Sequence, residues 1–292
     1  MERVLTVGLD GSPESLAAAH WAADEAQRRK LTLRLLHAWP LLAPEPTGVP
    51  AEVDQNYWAK RLVHNARTEL QAHHPGLTVV GNLVADDAQD ALLRAASESE
   101  MLVLGSRGLT PVESYFLGDI SMIVVGRAER PVVLVRAEGR AERPSTPEPG
   151  ATGDVVVALK LHAPYDELLD FAFTTAAARS LPLRAVHGRG TPLHAYTPWG
   201  VDHTVTQEIV QEAQKDLNQA LRPWREKFPG VSVADTIRLD SPARAVVAAA
   251  EDAELLIVGR RKHHPNLGPY LGPVAQAAVH HAHCPVAVVP HD

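Results

Sequence analysis

One cysteine, Cys284, stands among 292 residues, so no internal disulfide framework exists and a reducing compartment suits the chain. Absent too is any stretch approaching the roughly 20 apolar residues that a membrane helix needs. The N-terminus enters a strand pattern at Val4 with no basic leader or cleavage site ahead of it. The cytoplasm is therefore the expected location. Basic charge is also short: 28 Lys and Arg face 35 Asp and Glu, a formal net charge of -7 that repels phosphate backbones and anionic lipid surfaces. Nucleic acid and membranes are poor partners for such a chain. Missing, finally, is the Gly-x4-Gly-Lys-Ser/Thr loop of phosphoryl-transfer enzymes. The chain does not read as an enzyme, and any hydrolysis of phosphate is expected to be slow.

What is present is globular material, 45% hydrophobic and 22% charged, in a length that suits two domains better than one. The chain also repeats itself. Val7-Gly8-Leu9-Asp10 falls on Val157-Ala158-Leu159-Lys160 and Leu35-Leu36-His37 on Ala185-Val186-His187, a shift of 150 positions. Further on, Pro75-Gly76 meets Pro229-Gly230 and Leu104-Gly105 meets Val258-Gly259, a shift of 154. The Pro-, Gly- and charge-rich segment RAEGRAERPSTPEPGATGD, 136–154, belongs to neither copy and reads as a solvated linker. The expected division is 1–137 for the first domain, 138–153 for the linker and 154–292 for the second domain.

Within the first copy the apolar runs 4–9, 31–38, 77–84, 101–104 and 132–135 suit strands buried on both faces. Between them, 15–30, 53–73, 88–97 and 120–127 carry apolar residues at helical spacing, as in Leu16, Ala19 and Ala23. Such alternation favours parallel strands joined by right-handed crossovers, so each copy is expected to be an α/β, doubly wound five-stranded parallel sheet with helices on both faces. Ligands of such sheets sit beyond the carboxyl ends of the strands. Ser12 is a helix cap candidate and Pro13 suits the first helical position, which would hold Asp10 on a tight strand-to-helix turn.

The informative stretch follows the fourth strand. Gly105-Ser106-Arg107-Gly108 is followed after nine residues by Gly118-Asp119-Ile120-Ser121, which opens the last helix near Ile120. Glycines let backbone N–H groups approach phosphate oxygens, and a helix N-terminus adds unpaired donors with partial positive charge. Asp10 at the end of the first strand would stand beside the same crevice, where a carboxylate can accept from ribose hydroxyls. A nucleotide satisfies both ends.

These residues resemble the universal stress protein family, whose nucleotide-binding members carry a Gly-x2-Gly-x9-Gly-Ser/Thr loop and an Asp after the first strand. The opening VGLDGSPES, the His37-Ala38 end of the second strand and the last strand Arg130-Pro131-Val132-Val133-Leu134-Val135 are similar to the family as well. The resemblance implies an adenine nucleotide alpha hydrolase-like fold, and ATP, with or without Mg2+, between the first and fourth strands. It implies Asp10 near the ribose, the Ala38 backbone near adenine, and Gly105, Arg107, Gly108, Gly118, Asp119, Ile120 and Ser121 around the phosphates. It also implies edge-to-edge pairing of the two last strands, 132–135 and 286–289, as an intramolecular pseudo-dimer. Further association into a homodimer is open, with no interface that the residues name.

Two departures bear on this reading. Asp119 stands where the family pattern has a hydroxyl, and its carboxylate repels phosphate or caps the helix by itself, while Arg107 offsets the charge and Ser121 keeps one hydroxyl. In the second copy Lys160 replaces the Asp, Lys262 the second glycine and Ala275 the serine, while Pro273, with no N–H, follows the third glycine Gly272. The ATP site there is expected to be lost; Lys160, Arg260, Arg261 and Lys262 concentrate positive charge at the rim and read as a solvated basic loop, with docking of a different anion or of an acidic surface of the other copy as the alternative. His280, His281, His283 and Cys284 read as a surface group rather than a metal site, and no metal is expected. The Pro-rich loops 39–50 and 189–200 are candidate lids. The leading functional expectation is an adenine-nucleotide-binding regulatory protein of the stress response. Its alternatives are a ligand-free interaction scaffold and a slow ATP hydrolase.

Overall fold

A computed structural model describes residues 3–39, 55–106, 119–137, 153–161, 165–191, 196–197, 200–201, 203–262 and 271–292. The chain separates into two compact units, Met1–Arg143 and Pro144–Asp292. Residues 138–152 of the expected linker lie outside the described residues.

The first unit runs β1 (Val4–Gly8), α1 (Pro13–Arg29), β2 (Thr32–Trp39), α2 (Gln55–His73), β3 (Val79–Ala85), α3 (Ala88–Ser97), β4 (Met101–Ser106), α4 (Asp119–Arg127) and β5 (Val132–Arg136). Its strands lie in the order β5-β4-β1-β2-β3, all parallel. The order reverses direction at β1: the chain steps outward through β2 and β3, then returns to β4 on the other side. Right-handed crossovers then put α1 and α2 on one face and α3 and α4 on the other, and open a crevice between the carboxyl ends of β1 and β4. β1 and β4 are buried runs of Val and Leu because helices cover both faces. β3 departs from that expectation, since as the outer strand it leaves Val80 41% exposed.

α1 begins as the residues suggest, although at Pro13 rather than Ser15: the Ser12 hydroxyl accepts from the Ser15 N–H at 3.1 Å and Pro13 takes the first turn. It ends where Lys30 turns left-handed at φ 55, after Arg28 and Arg29 have met the negative end of the helix. Inside, the Glu25 carboxylate is fully buried and paired with Arg29 at 2.6 Å.

The second unit repeats the plan with β6 (Val155–Ala158), α5 (Asp166–Arg179), β7 (Leu183–Gly188), β8 (Tyr196–Thr197), β9 (Gly200–Val201), α6 (His203–Lys227), β10 (Val233–Arg238), α7 (Pro242–Ala249), β11 (Leu255–Arg261), α8 (Pro273–His281) and β12 (Val286–His291). Its main strands lie in the order β12-β11-β6-β7-β10, again all parallel. The repeat reaches into detail: Arg34 and Arg184, 150 positions apart, each donate at 3.0 Å to the last carbonyls of the third helix of their unit, Ala95 and Ala249. In the candidate lid 189–200, β8 and β9 pair antiparallel, whereas 40–50 of the other candidate lid lies outside the described residues. The core of this unit holds Phe173 stacked on Trp224 at 5.9 Å and against Phe228 at 5.5 Å.

Candidate functional site

In the first unit the strand register levels the ends that matter. Gly8 lies opposite Leu36, and Val7 opposite Val103, so Asp10, Ala38 and Ser106 arrive at one edge of the sheet. The turn after β1 is fixed by two contacts. The Leu9 N–H donates to the Leu36 carbonyl at 2.8 Å, and His37 Nδ1 lies 2.8 Å from the Leu9 carbonyl, which can only accept, so Nδ1 carries the proton. The His37 ring stacks with Trp39 at 6.1 Å. Asp10 is exposed, and its Oδ1 accepts from the Ser12 N–H at 2.9 Å and from the Ser12 hydroxyl. That carboxylate therefore closes the strand-to-helix turn. Gly11 supplies the left-handed step of the turn at φ +86.

Gly105 lies within β4, opposite Val135, and not in the loop beyond the strand. The structural demand on it comes from α1: a Cβ at Gly105 would lie 2.6 Å from the Glu14 carbonyl carbon and 2.7 Å from the Ser15 nitrogen. β4 extends two residues past Leu104, and this buries Ser106, which is 3% exposed. Its hydroxyl has no hydrogen-bond partner among the described residues. A buried hydroxyl left so costs about 1–3 kcal/mol. Ser106 was inside the glycine loop but not singled out by sequence. Its burial follows from the two extra residues of strand.

α4 opens at Asp119 rather than Ile120, with Ile120 43% exposed and Ser121 half-buried. Only the backbone of Asp119 is described, and Arg107, Gly108 and Gly118 lie outside the described residues. The structure thus brings Asp10, Ala38 and Gly105 to one edge, with Ile120 and Ser121 at the head of α4 on the face opposite α1. Trp58 on α2 is the other residue that sequence reasoning passed over; it is 54% exposed and carries Arg61 over its ring at 5.5 Å.

The second unit holds a cavity of about 720 Å³ at the same place, beyond the carboxyl ends of β6 and β11. His187 Nδ1 donates to the Leu159 carbonyl at 2.9 Å, the counterpart of the His37 contact. Lys160 takes the place of Asp10 and is exposed at the mouth. The basic triplet is not a solvated loop as expected. Arg260 is on β11, 4% exposed and in the cavity wall, where burial pushes its guanidinium below its ordinary value. Lys262 is tied to Glu167 at 3.4 Å and to Asp292 at 3.8 Å. Gly259 makes room for a side chain here, since a Cβ would lie 2.6 Å from His291 Nε2. α8 starts at Pro273 behind Gly272, which supplies no side-chain cap.

Two tandem doubly wound units, each with a ligand-type crevice at its switch point, define the class of protein. The universal stress protein family model matches residues 1–136 and 152–290, and the chain belongs to that family. A universal stress protein of Mycobacterium tuberculosis is 32% identical over 293 residues, which covers 97% of this chain and 96% of the relative. Among solved structures, a universal stress protein of Archaeoglobus fulgidus superposes with a TM-score of 0.65 at 16% identity, covering 99% of this chain and 98% of that one. A shorter family member from Arabidopsis thaliana, with AMP bound, matches 49% of this chain and 97% of its own at 20% identity and a TM-score of 0.35. Among the described residues, no helix is long and apolar enough to cross a membrane.

Proposed function

We propose that the first unit binds an adenine nucleotide in the crevice between β1 and β4 and that the chain is a nucleotide-responsive regulator of the stress response. The observation that supports this reading is the meeting of unlike groups at one sheet edge. Asp10, Ala38 and Ser106, whose buried hydroxyl is unsatisfied among the described residues, share that edge; by family resemblance Asp10 would meet the ribose hydroxyls and the Ala38 backbone would flank the base. By family resemblance, the glycine loop with Arg107, Gly108, Gly118, Asp119, Ile120 and Ser121 would hold the phosphates. Filling the crevice would order the segment 109–117 and alter a surface that a partner reads.

ATP is the expected form, but the sequence has Asp119 where the family pattern has a hydroxyl, and a carboxylate in that position disfavours a long phosphate chain. Among the described residues no group of three His, Cys, Asp or Glu side chains is placed to hold a metal, and Mg2+ accompanying ATP would be held by the phosphates and water rather than by such a cage. A binding role is proposed in preference to catalysis because the sequence has no phosphoryl-transfer loop. Edge pairing of the last strands of the two units into a pseudo-dimer belongs to the same proposal. A disulfide trap between cysteines placed on 132–135 and 286–289 would test it.

The test of the site is calorimetric titration of AMP and ATP into the wild type, Asp10→Ala and Asp119→Ser. Gly105 is unsuitable for this purpose because its substitution strikes α1 before any ligand. Binding should weaken in Asp10→Ala and tighten, most for ATP, in Asp119→Ser. Absence of heat in all three proteins would leave the ligand-free scaffold as the better reading.

A further inference from the structure

The second unit has a larger claim to a ligand than its departures from the nucleotide pattern suggest. Its cavity, about 720 Å³, falls within the volume range of sites for small organic molecules, roughly 300–1,000 Å³. The floor and walls are buried apolar side chains, among them Leu159, Leu168 and Val246. The charged groups lean one way. Lys160, Arg189, Arg260 and Arg261 line the cavity against Glu212 and Asp216, four cations to two carboxylates, and one of those pairs, Arg189 with Glu212, is closed at 3.2 Å.

Lys160 is the telling residue. It stands at the mouth on the turn after β6, and it enters no ion pair among the described residues, whereas Lys262 nearby is engaged by Glu167 and Asp292. In the wall below, Arg260 is a second cation held in a dry setting, where an anion gains more from it than in water. A nucleotide is badly served by the same arrangement. An ammonium cannot accept from a ribose diol, Pro273 removes a donor from the start of α8, and Ala275 offers no hydroxyl to a phosphate chain.

We propose that this cavity is a binding site for an amphipathic organic anion, an apolar chain or ring that fills the Leu-lined space and carries one carboxylate to Lys160 and Arg260. The occupant differs in class from a nucleotide, and the inference does not rest on what the first unit binds, so either can fail alone.

Decanoate is a suitable probe, with decanol as its uncharged counterpart and naphthalene-2-carboxylate as a ring-shaped one, titrated calorimetrically into the full chain. One decanoate should bind per chain, at least about 10-fold more tightly than decanol. Lys160→Glu, at an exposed position, should weaken decanoate at least about 10-fold with an unchanged melting temperature. Val246→Trp, which fills the space, should abolish it, and Ala275→Leu serves the same purpose if the tryptophan variant does not fold. Saturating AMP should not displace the probe. Failure of both carboxylates to bind would overturn the proposal. So would equal binding of decanoate and decanol, indifference to Lys160→Glu, or displacement by AMP.

Discussion

Gly105→Ala and Gly259→Ala place the same methyl at matching positions of the two units, yet the surroundings predict different costs. At Gly105 the new Cβ meets three backbone atoms of α1, the Glu14 carbonyl carbon at 2.6 Å, the Ser15 nitrogen at 2.7 Å and the Glu14 oxygen at 2.8 Å. An ordinary contact is about 3.4 Å or more, so the first turn of α1 must retreat by about 0.8 Å. That turn is anchored by the Ser12 cap and the Asp10 carboxylate. Overpacking against anchored structure costs about 1–3 kcal/mol, and backbone neighbours put Gly105→Ala at about 2–3. At Gly259 the obstacle is the His291 ring, with Nε2 at 2.6 Å and Cδ2 at 2.8 Å. A side chain can yield by rotating off its preferred torsion, at about 1 kcal/mol. At about 3–4 °C per kcal/mol for a unit of this size, the first variant should lower the melting temperature of its unit by about 6–12 °C and the second by about 3–4 °C. Adding His291→Ala to Gly259→Ala should remove the steric part of that cost, measured against His291→Ala alone. Differential scanning calorimetry and urea unfolding of the full chain measure all four proteins. If Gly259→Ala is the costlier substitution, or Gly105→Ala is neutral, the assignment of Gly105 to helix packing is refuted.

Three further outcomes follow from the packing. Arg29→Leu removes the nearer of the two cations on the fully buried Glu25 carboxylate, leaving Arg28 at 3.6 Å, and should destabilise the first unit by up to about 3 kcal/mol in urea unfolding. Phe173→Ala removes the fully buried centre of the Trp224 and Phe228 stack and should cost the second unit about 3–5 kcal/mol, read from the loss of tryptophan fluorescence at lower urea. Arg3 holds the Glu100 carboxyl below its ordinary value, chiefly through a side-chain hydrogen bond. The stability it adds is present at pH values above the unfolded pKa near 4.5 and is lost as pH falls through the folded one. The pair is exposed to solvent, so Glu100→Gln should cost under about 1 kcal/mol at pH 7, and the cost should shrink as pH falls below the unfolded pKa, by urea titration across that range.

The strand runs, the Ser12-Pro13 helix start and the duplication were readable because each is local: buried parallel strands are continuous apolar runs, and a cap followed by proline marks a first turn. The demand on Gly105 was not readable, because it is set by the approach of α1, some 90 residues earlier in the chain. Ser106 escaped because its burial depends on a strand that continues past the last apolar residue. The basic triplet misled for a periodic reason. Three consecutive cations resemble a loop, but Arg260 and Arg261 are the last residues of β11, so Arg260 is buried in the cavity wall and Arg261 stands exposed at the cavity's rim, while Lys262, just past the strand, reaches the acids Glu167 and Asp292. β3 was assigned a buried character that it lacks, because its apolar run does not reveal that the strand lies at the outside of the order, where Val80 is left exposed.

The matched histidine contacts, His37 to Leu9 and His187 to Leu159, have a consequence for how such a crevice changes its tastes. Each clamps the backbone one residue before the position displayed at the end of the sheet, Asp10 or Lys160, so the path of the chain is settled independently of the side chain that follows. Aspartate in one half and lysine in the other are then offered from equivalent pedestals, and the sign of the charge at the entrance becomes a single-residue choice.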